Sequence, residues 1–280
     1  MPTAYNERMT SDGFGLMNKA SLAGADLIGG LMRWRLWSAL AMEDLKQTYR
    51  RSLIGVAWVS LSFTVFVLVK ILIFGSMVRG REIEYFGAYL LLGFFVWQFL
   101  SQIVTSAPNV FTSAEGWIRN DPLELSTFVY QTVYRSLFDL ALTGVVAAAF
   151  FFYFGQGVSL IALLAIPALF AFVVNAIWVK ILLGVICTRF RDLGHLVHTI
   201  MRVMMFLSPI VWLPEQLGEQ VMQYLWWNPF AHFIWIFRTP ILDGDPAVES
   251  WIYVGVITVL GWASAFIAFA LFRRRIVFWL

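Results

Sequence analysis

Five stretches of this chain, roughly residues 54–78, 85–107, 136–154, 159–186 and 251–272, are each as long as a bilayer-crossing helix and almost free of charge. A spanning helix needs about 20 mostly apolar residues, because hydrocarbon solvates neither charges nor open backbone. A sixth stretch, roughly 196–213, contains His198 and Arg202 and is interrupted by Pro209, but its segment VMMFLSPIVWL is apolar enough to count. The fold class expected is therefore an all-α membrane protein with six transmembrane helices. Composition agrees: 13% of residues are charged, against about 25% in a soluble domain.

Cations fix the expected orientation, since Lys and Arg concentrate in cytoplasmic loops. With six spans and a cytoplasmic N-terminus, the inside holds Arg8, Lys19, Arg33, Arg35, Lys46, Arg50, Arg51, Arg119, Arg135, Arg189, Arg191 and Arg273 to Arg275, and the outside only Arg79, Arg81 and Arg238. The stretch from Tyr224 to Leu242 is apolar but interrupted by Asn228, Pro229, Arg238 and Pro240. A seventh span there would place the Arg273–Arg275 cluster outside, so a re-entrant or interfacial extracytoplasmic hairpin between the fifth and sixth spans fits better. Acidic residues Glu82, Glu84, Glu215, Glu219, Asp243, Asp245 and Glu249 gather on that outer side.

Before the first span, Trp34, Trp37, Ala41 and Leu45 recur at spacings of three and four, one face of a helix. Charged residues fall largely elsewhere on it, the pattern of a helix lying in the membrane interface. Residues 1–30 are expected to be a poorly ordered or surface-lying cytoplasmic arm, and 31–280 a single transmembrane domain. No cleavable signal peptide is expected, because the first long apolar run begins near Ile54.

Several chemistries lack their residues. No G-x-x-x-x-G-K-[ST] loop is present, so this chain supplies no P-loop ATPase, and there is no G-x-S-x-G nucleophile elbow. His195 and His198 share a helical face but have no further ligands, whereas zinc needs three or four, so no metal is expected. Cys187 is the only cysteine and forms no intrachain disulfide. Net charge of +3 is too small to suggest nucleic acid. Ionisable residues inside spans are candidates for function. Lys70 and Lys180 are the two clearest, with Lys70 able to snorkel outward. Asp139 is the only acid in a proposed span, and Arg135, four residues earlier, is its expected ion-pair partner. A proton-coupled carrier would place acids deep in its helices, and a membrane glycan transferase would gather carboxylates or histidines at one face. Neither pattern is present.

Four segments then fall in a recognisable order: DLKQTYRRSLIGVAW (Asp44 to Trp58), RFRDLGHLV (Arg189 to Val197), LSPIVW (Leu207 to Trp212) and WWNPFAHFIWIFRTPIL (Trp226 to Leu242). Together they resemble the ABC-2 type exporter permeases that move polysaccharides and related lipid-linked glycans. The resemblance covers about residues 33–275, and residues 1–30 have no counterpart in it. It implies a half-transporter of the cytoplasmic (inner) membrane, with both termini cytoplasmic. Two copies pair as a homodimer around a channel, and two separate ABC ATPase subunits carry the ATP and Mg, so no cofactor is bound by this chain. The substrate implied is a lipid-linked polysaccharide of O-antigen or capsule type. An ABC-2 exporter of a drug or small lipid is the alternative.

Site residues follow from the same resemblance. The stretch Ser113 to Ser126 matches the coupling helix that meets the ATPase, with Trp117, Arg119, Asp121, Pro122 and Leu123 as its candidate contacts. Arg189, Arg191 and Asp192 either contact the ATPase too or simply anchor the inner face. Asp44, Lys46, Tyr49, Arg50 and Arg51 form the interface helix and a candidate entrance for a diphosphate headgroup, since guanidinium forks match phosphate oxygens. Trp58, Phe63, Phe66, Phe206 and Trp212 are candidate channel-lining aromatics for sugar passage. Asn228, Pro229 and Arg238 mark the re-entrant hairpin.

Overall fold

The computed structural model describes residues 3–75, 82–121, 123–154, 157, 159–214 and 218–280. Arg79, Arg81, Pro122 and Glu215 lie outside the described residues, as do the side chains of Arg8, Glu82 and Glu219. Among the described residues the chain is helical, with no strand. In order come α1 (Thr3–Met32), α2 (Trp34–Thr48), α3 (Ala57–Gly75), α4 (Glu82–Ser106), α5 (Glu115–Asn120), α6 (Ser126–Tyr153), α7 (Ala165–Arg189), α8 (Leu193–Leu207), α9 (Glu219–Trp226), α10 (Pro229–Leu242) and α11 (Val248–Trp279).

Five of these are long and apolar enough to cross a membrane: Ala57–Phe74, Ile83–Asn109, Leu125–Tyr153, Leu160–Arg189 and Val248–Trp279. The stretch expected at 196–213 is instead a 15-residue helix, α8, that stops before Ser208 and Pro209. Proline lacks the N–H a helix interior requires. The helix expected from residue 136 begins ten residues earlier, at Ser126. Its first turns carry Gln131 and Arg135, which lower hydropathy, yet Phe128, Val129, Tyr130 and Val133 are buried.

α4 is the axis of the fold. Of its candidate span 67% is buried, against 11% of the span in α3. α4 touches α3, α6, α7, α8 and α10, and its side chains from Phe86 to Trp97 supply much of the core. α7 packs on α11, where Gly261 leaves room for the Trp178 indole. α3 and α8 sit at the edge, and in α8 only Met201 is fully buried.

The arm expected to be poorly ordered or surface-lying corresponds to the helix α1, whose C-terminal part docks on α6 and α11. Asp26 is 2% exposed and accepts the backbone N–H groups of Leu125 and Ser126 at 3.2 and 3.0 Å. Those are orphan donors at the start of α6. The Arg273 guanidinium reaches the same carboxylate at 2.6 Å.

Candidate functional site: an open polar groove and the charged end beneath it

A groove of about 480 Å³ opens between α3, α4 and α8. One side is aromatic: Phe63 and Phe66 of α3 face Phe94 and Trp97 of α4, and Phe66 meets Phe94 edge-on, centroids 4.9 Å apart. The floor is polar: Gln98, Ser101, Gln102 and Thr105 of α4 line it. Their spacing of i, i+3, i+4, i+7 is one helical face. Gln98 is exposed although its neighbours from Leu90 to Trp97 are buried. A polar stripe within a bilayer-crossing helix is expensive unless it faces protein or water. The stripe was readable from its period but is masked by the high mean hydropathy of the segment.

Of the aromatics expected to line a path, Phe63 and Phe66 reach this groove. Phe63 is otherwise buried in the core. Trp58 lies with Phe66 and Lys70 on the outer face of α3. Phe206 is exposed elsewhere on α8, and the Trp212 indole donates to its carbonyl at 3.0 Å. Met205 is the residue α8 gives to the groove.

Behind the stripe is a half-buried polar chain that ends on a buried lysine. Gln102 Nε2 donates to Asp139 at 2.7 Å, Ser106 Oγ donates to the Gln102 carbonyl at 2.5 Å, and Lys180 Nζ donates to Ser106 Oγ at 2.7 Å. Lys180 is 0% exposed. The expected Arg135–Asp139 ion pair is not among those formed by the described residues. Arg135 instead donates to Thr48 Oγ1 at 3.1 Å, because α2 lies against that face of α6. The Lys70 ammonium sits 5.4 and 5.8 Å from the ring centroids of Phe66 and Phe74.

At the end carrying α2 and α5, the periodic face of α2 packs on α6. Ala41 and Leu45 are buried, and Trp37 lies 5.4 Å from Tyr134, whereas Trp34 is exposed. Asp44 accepts from Gln131 at 2.6 Å. The turn into α3 needs two left-handed residues, Arg51 at φ 66° and Gly55 at φ 59°, and it leaves Lys46, Arg50 and Arg51 exposed. Burial, then the Asp139 charge, pushes the Tyr49 phenol above its ordinary pKa, with Arg135 opposing.

In α5, Ile118 is buried and Trp117 is 51% exposed. Arg119 pairs with Glu115 at 2.9 Å, and Asp121 is exposed beyond it. Leu123 packs against the core. Arg189 and Arg191 are exposed and meet the end of α11: Arg189 lies 5.6 Å from the Trp279 ring centroid, and Arg191 donates to the Trp279 carbonyl at 3.3 Å. Asp192 remains exposed. Sequence reasoning gave no role to Asp26 or Glu124 and read Arg33 only as an inner-face cation; Arg33 and Glu124 pair at 2.8 Å and tie the end of α1 to the segment after α5. Nothing in the local sequence signals a partner a hundred residues away.

At the opposite end, Asn228 Oδ1 caps α10 by accepting the Phe230 N–H at 2.9 Å, with Pro229 in the first helical position. Asn228 Nδ2 also donates to Ser208 Oγ at 3.0 Å. Arg238 is buried. It donates to the Pro209 carbonyl at 2.7 Å and lies 3.6 Å over the Tyr89 ring centroid. α10 is antiparallel to α4: Phe230 meets Trp97, and Asp243 meets Tyr85.

His195 and His198 line a pocket of about 370 Å³ with Arg191 and Glu115. Among the described residues no group of three His, Cys, Asp or Glu side chains is placed to hold a metal.

The ABC-2 type transporter family profile matches residues 35–242. Two O-antigen export system permease proteins RfbA from Klebsiella pneumoniae are 24% and 23% identical over 233 residues, covering 83% of this chain and 88% of theirs. An O-antigen export system permease protein RfbA from Myxococcus xanthus is 22% identical over 249 residues, covering 85% of this chain and 94% of its own. With its multiple apolar helices and a profile match over most of its length, this multi-pass membrane protein belongs to the ABC-2 type transporter family.

Proposed function

We propose that this chain is the transmembrane subunit of an ATP-driven exporter that carries a lipid-linked polysaccharide, of O-antigen or capsule type, across the cytoplasmic membrane. The observation that carries this reading is the groove between α3, α4 and α8. Its aromatic wall offers flat apolar surfaces to sugar rings, and its Gln, Ser and Thr stripe offers hydrogen bonds to hydroxyls. Such a surface lets a polar chain slide without fixing one hydrogen-bond pattern. The groove is open on the side of α3 and α8, the two edge helices, so a second copy placed there would close it into a channel.

In this reading the chain crosses the membrane six times. α8 and the segment after it return the chain from the Arg191 end to the Tyr89 end, since Pro209 and Trp212 accept from Tyr89. About 1.5 Å per residue makes α8 roughly 22 Å long, short of a full crossing, and residues 208–214 complete it. α10 starts at the level of Trp97 and rises to Tyr85, which supports a re-entrant hairpin shielded by protein. The end bearing Arg50, Arg119 and Arg273 faces the cytoplasm. There α2 is the interface helix, Arg50 and Arg51 are free to meet a diphosphate headgroup, and exposed Trp117, Arg119 and Asp121 dock one of two ATPase subunits. ATP and Mg²⁺ belong to those subunits. Residues 1–30 form an arm on the domain made by 31–280.

Depleting the chain and locating the glycan tests the reading. Lipid-linked polymer should accumulate on the cytoplasmic side and disappear from the surface. Normal surface glycan would sink it and favour export of a drug or small lipid, and failure to make any polymer would favour an enzyme.

A further inference from the structure

A second cleft, of about 710 Å³, lies at the far end of the fold between α4, α9, α10 and the start of α11. Its volume falls within the ~300–1,000 Å³ of small-ligand sites. Trp226 and Trp235 form its aromatic wall, with Tyr85 beside them. Both indoles are held in place by one residue, His232, whose ring they meet edge-on at 5.1 and 5.2 Å. His232 is 0% exposed. Its Nε2 faces the Trp226 carbonyl at 2.9 Å, which can only accept, so Nε2 carries the proton and Nδ1 accepts from the Ser250 hydroxyl at 3.1 Å. The other face of the imidazole stacks on Tyr253 at 3.8 Å. The wall is therefore pre-set before any ligand arrives.

The rim is anionic. Asp243 is oriented by the Tyr85 hydroxyl, which donates to one carboxylate oxygen at 2.7 Å. Asp245 accepts the Ala247 N–H through one oxygen at 2.9 Å. Glu249 completes the rim, and none of the three forms an ion pair among the described residues. Arg238, the cation of the cleft, is committed to the Pro209 carbonyl and the Tyr89 ring. With no cationic partner among the described residues, these carboxylates disfavour phosphate and with it a lipid diphosphate. Flat indoles beside carboxylates that accept paired hydroxyls suit an uncharged saccharide.

We propose that this cleft is a saccharide-binding subsite for the exported glycan on the far side of the membrane, separate from the groove. The assignment rests on the glycan-export reading. There the cleft holds the emerging sugar chain and disfavours its return.

The test uses the full chain with its ATPase subunits in lipid nanodiscs. The probes are oligosaccharides of a few sugars, released by mild acid from the surface glycan of the cell that carries this protein, and saturation-transfer NMR reads their binding. Saturable binding is expected. Asp243→Asn combined with Glu249→Gln should weaken it at least about tenfold, the loss expected for hydrogen bonds to charged acceptors, and Trp235→Phe should weaken it less. The carboxylates are exposed, so the double variant folds. Absent binding, binding indifferent to the double variant, or Ca²⁺ binding to the rim with no sugar signal would overturn the subsite. If depletion still abolishes surface glycan, the export reading survives that failure. Variant-sensitive binding with normal surface glycan after depletion would instead sink the export reading and leave the cleft a saccharide site.

Discussion

Asp26 Oδ2 and Arg273 Nε lie 2.6 Å apart although 247 positions separate them in the chain. The same carboxylate caps the start of α6, so a single side chain joins α1, α6 and α11. Asp26→Ala removes both caps and leaves Arg273 without its partner. Breaking a buried pair costs about 3–5 kcal/mol, and the lower end applies because Arg273 is partly exposed. The variant should melt at a lower temperature in detergent, and α1 should become the first protease-sensitive segment. An unchanged melting profile would show that α1 is held by packing alone.

Gly261 faces the indole of Trp178 where α11 crosses α7, and a methyl group there would collide with the six-membered ring. Overpacking of this kind costs about 1–3 kcal/mol. Gly261→Ala should lower thermal stability, and Trp178→Leu in the same chain should restore part of the loss. Additive losses in the double variant would mean that the two helices do not meet at this point.

Lys180 has one hydrogen bond, to the neutral Ser106 hydroxyl, and no carboxylate within ion-pair distance among the described residues. Holding an ammonium in a buried site with one neutral partner is costly, and an apolar side chain of similar length escapes that cost. Lys180→Met should therefore fold with equal or higher stability and still export. A stable Lys180→Met protein with no export would place Lys180 in transport instead.

Gln98 exposes its amide to the groove in the middle of an otherwise buried stretch. Gln98→Leu removes no buried contact, so stability should change by less than about 0.5 kcal/mol, while surface glycan falls several-fold. Gln98→Asn, which keeps the amide, should retain most export. Equal export by Leu and Asn variants would remove the stripe from the path.

Trp117 is half exposed on α5 beside buried Ile118. If α5 seats in the ATPase, Trp117→Ala should leave the isolated chain as stable as before and weaken the complex by about 2 kcal/mol or more, as interface anchors do. Co-purification of the ATPase with the variant and the wild type measures this. Full ATPase recovery with Trp117→Ala would exclude the coupling role.

The five long apolar helices and the interruption at Asn228 and Pro229 were legible because each is local. Hydrocarbon demands a run of apolar residues, and a cap demands an oxygen beside the first free N–H. The periodic face of α2 was legible as well, but its partner was not. Trp37, Ala41 and Leu45 suited a membrane surface as well as they suit α6, and amphipathicity alone does not say which apolar phase a face meets. Hydropathy averaging also hid the stripe from Gln98 to Thr105 and the first turns of α6.

The sequence by itself determined that this is a helical membrane protein and roughly where its long helices run, because those properties follow from runs and periods along the chain, while four ordered segments carried its resemblance to the ABC-2 type. Tertiary structure alone decided that Asp26 anchors α1 to α6 and Arg273, that Arg135 turns to Thr48 rather than Asp139, and that α3 and α8 leave a polar groove open. Each of these depends on which surfaces of distant helices meet, and a charge's partner in low dielectric is set by that packing rather than by its neighbours in the chain.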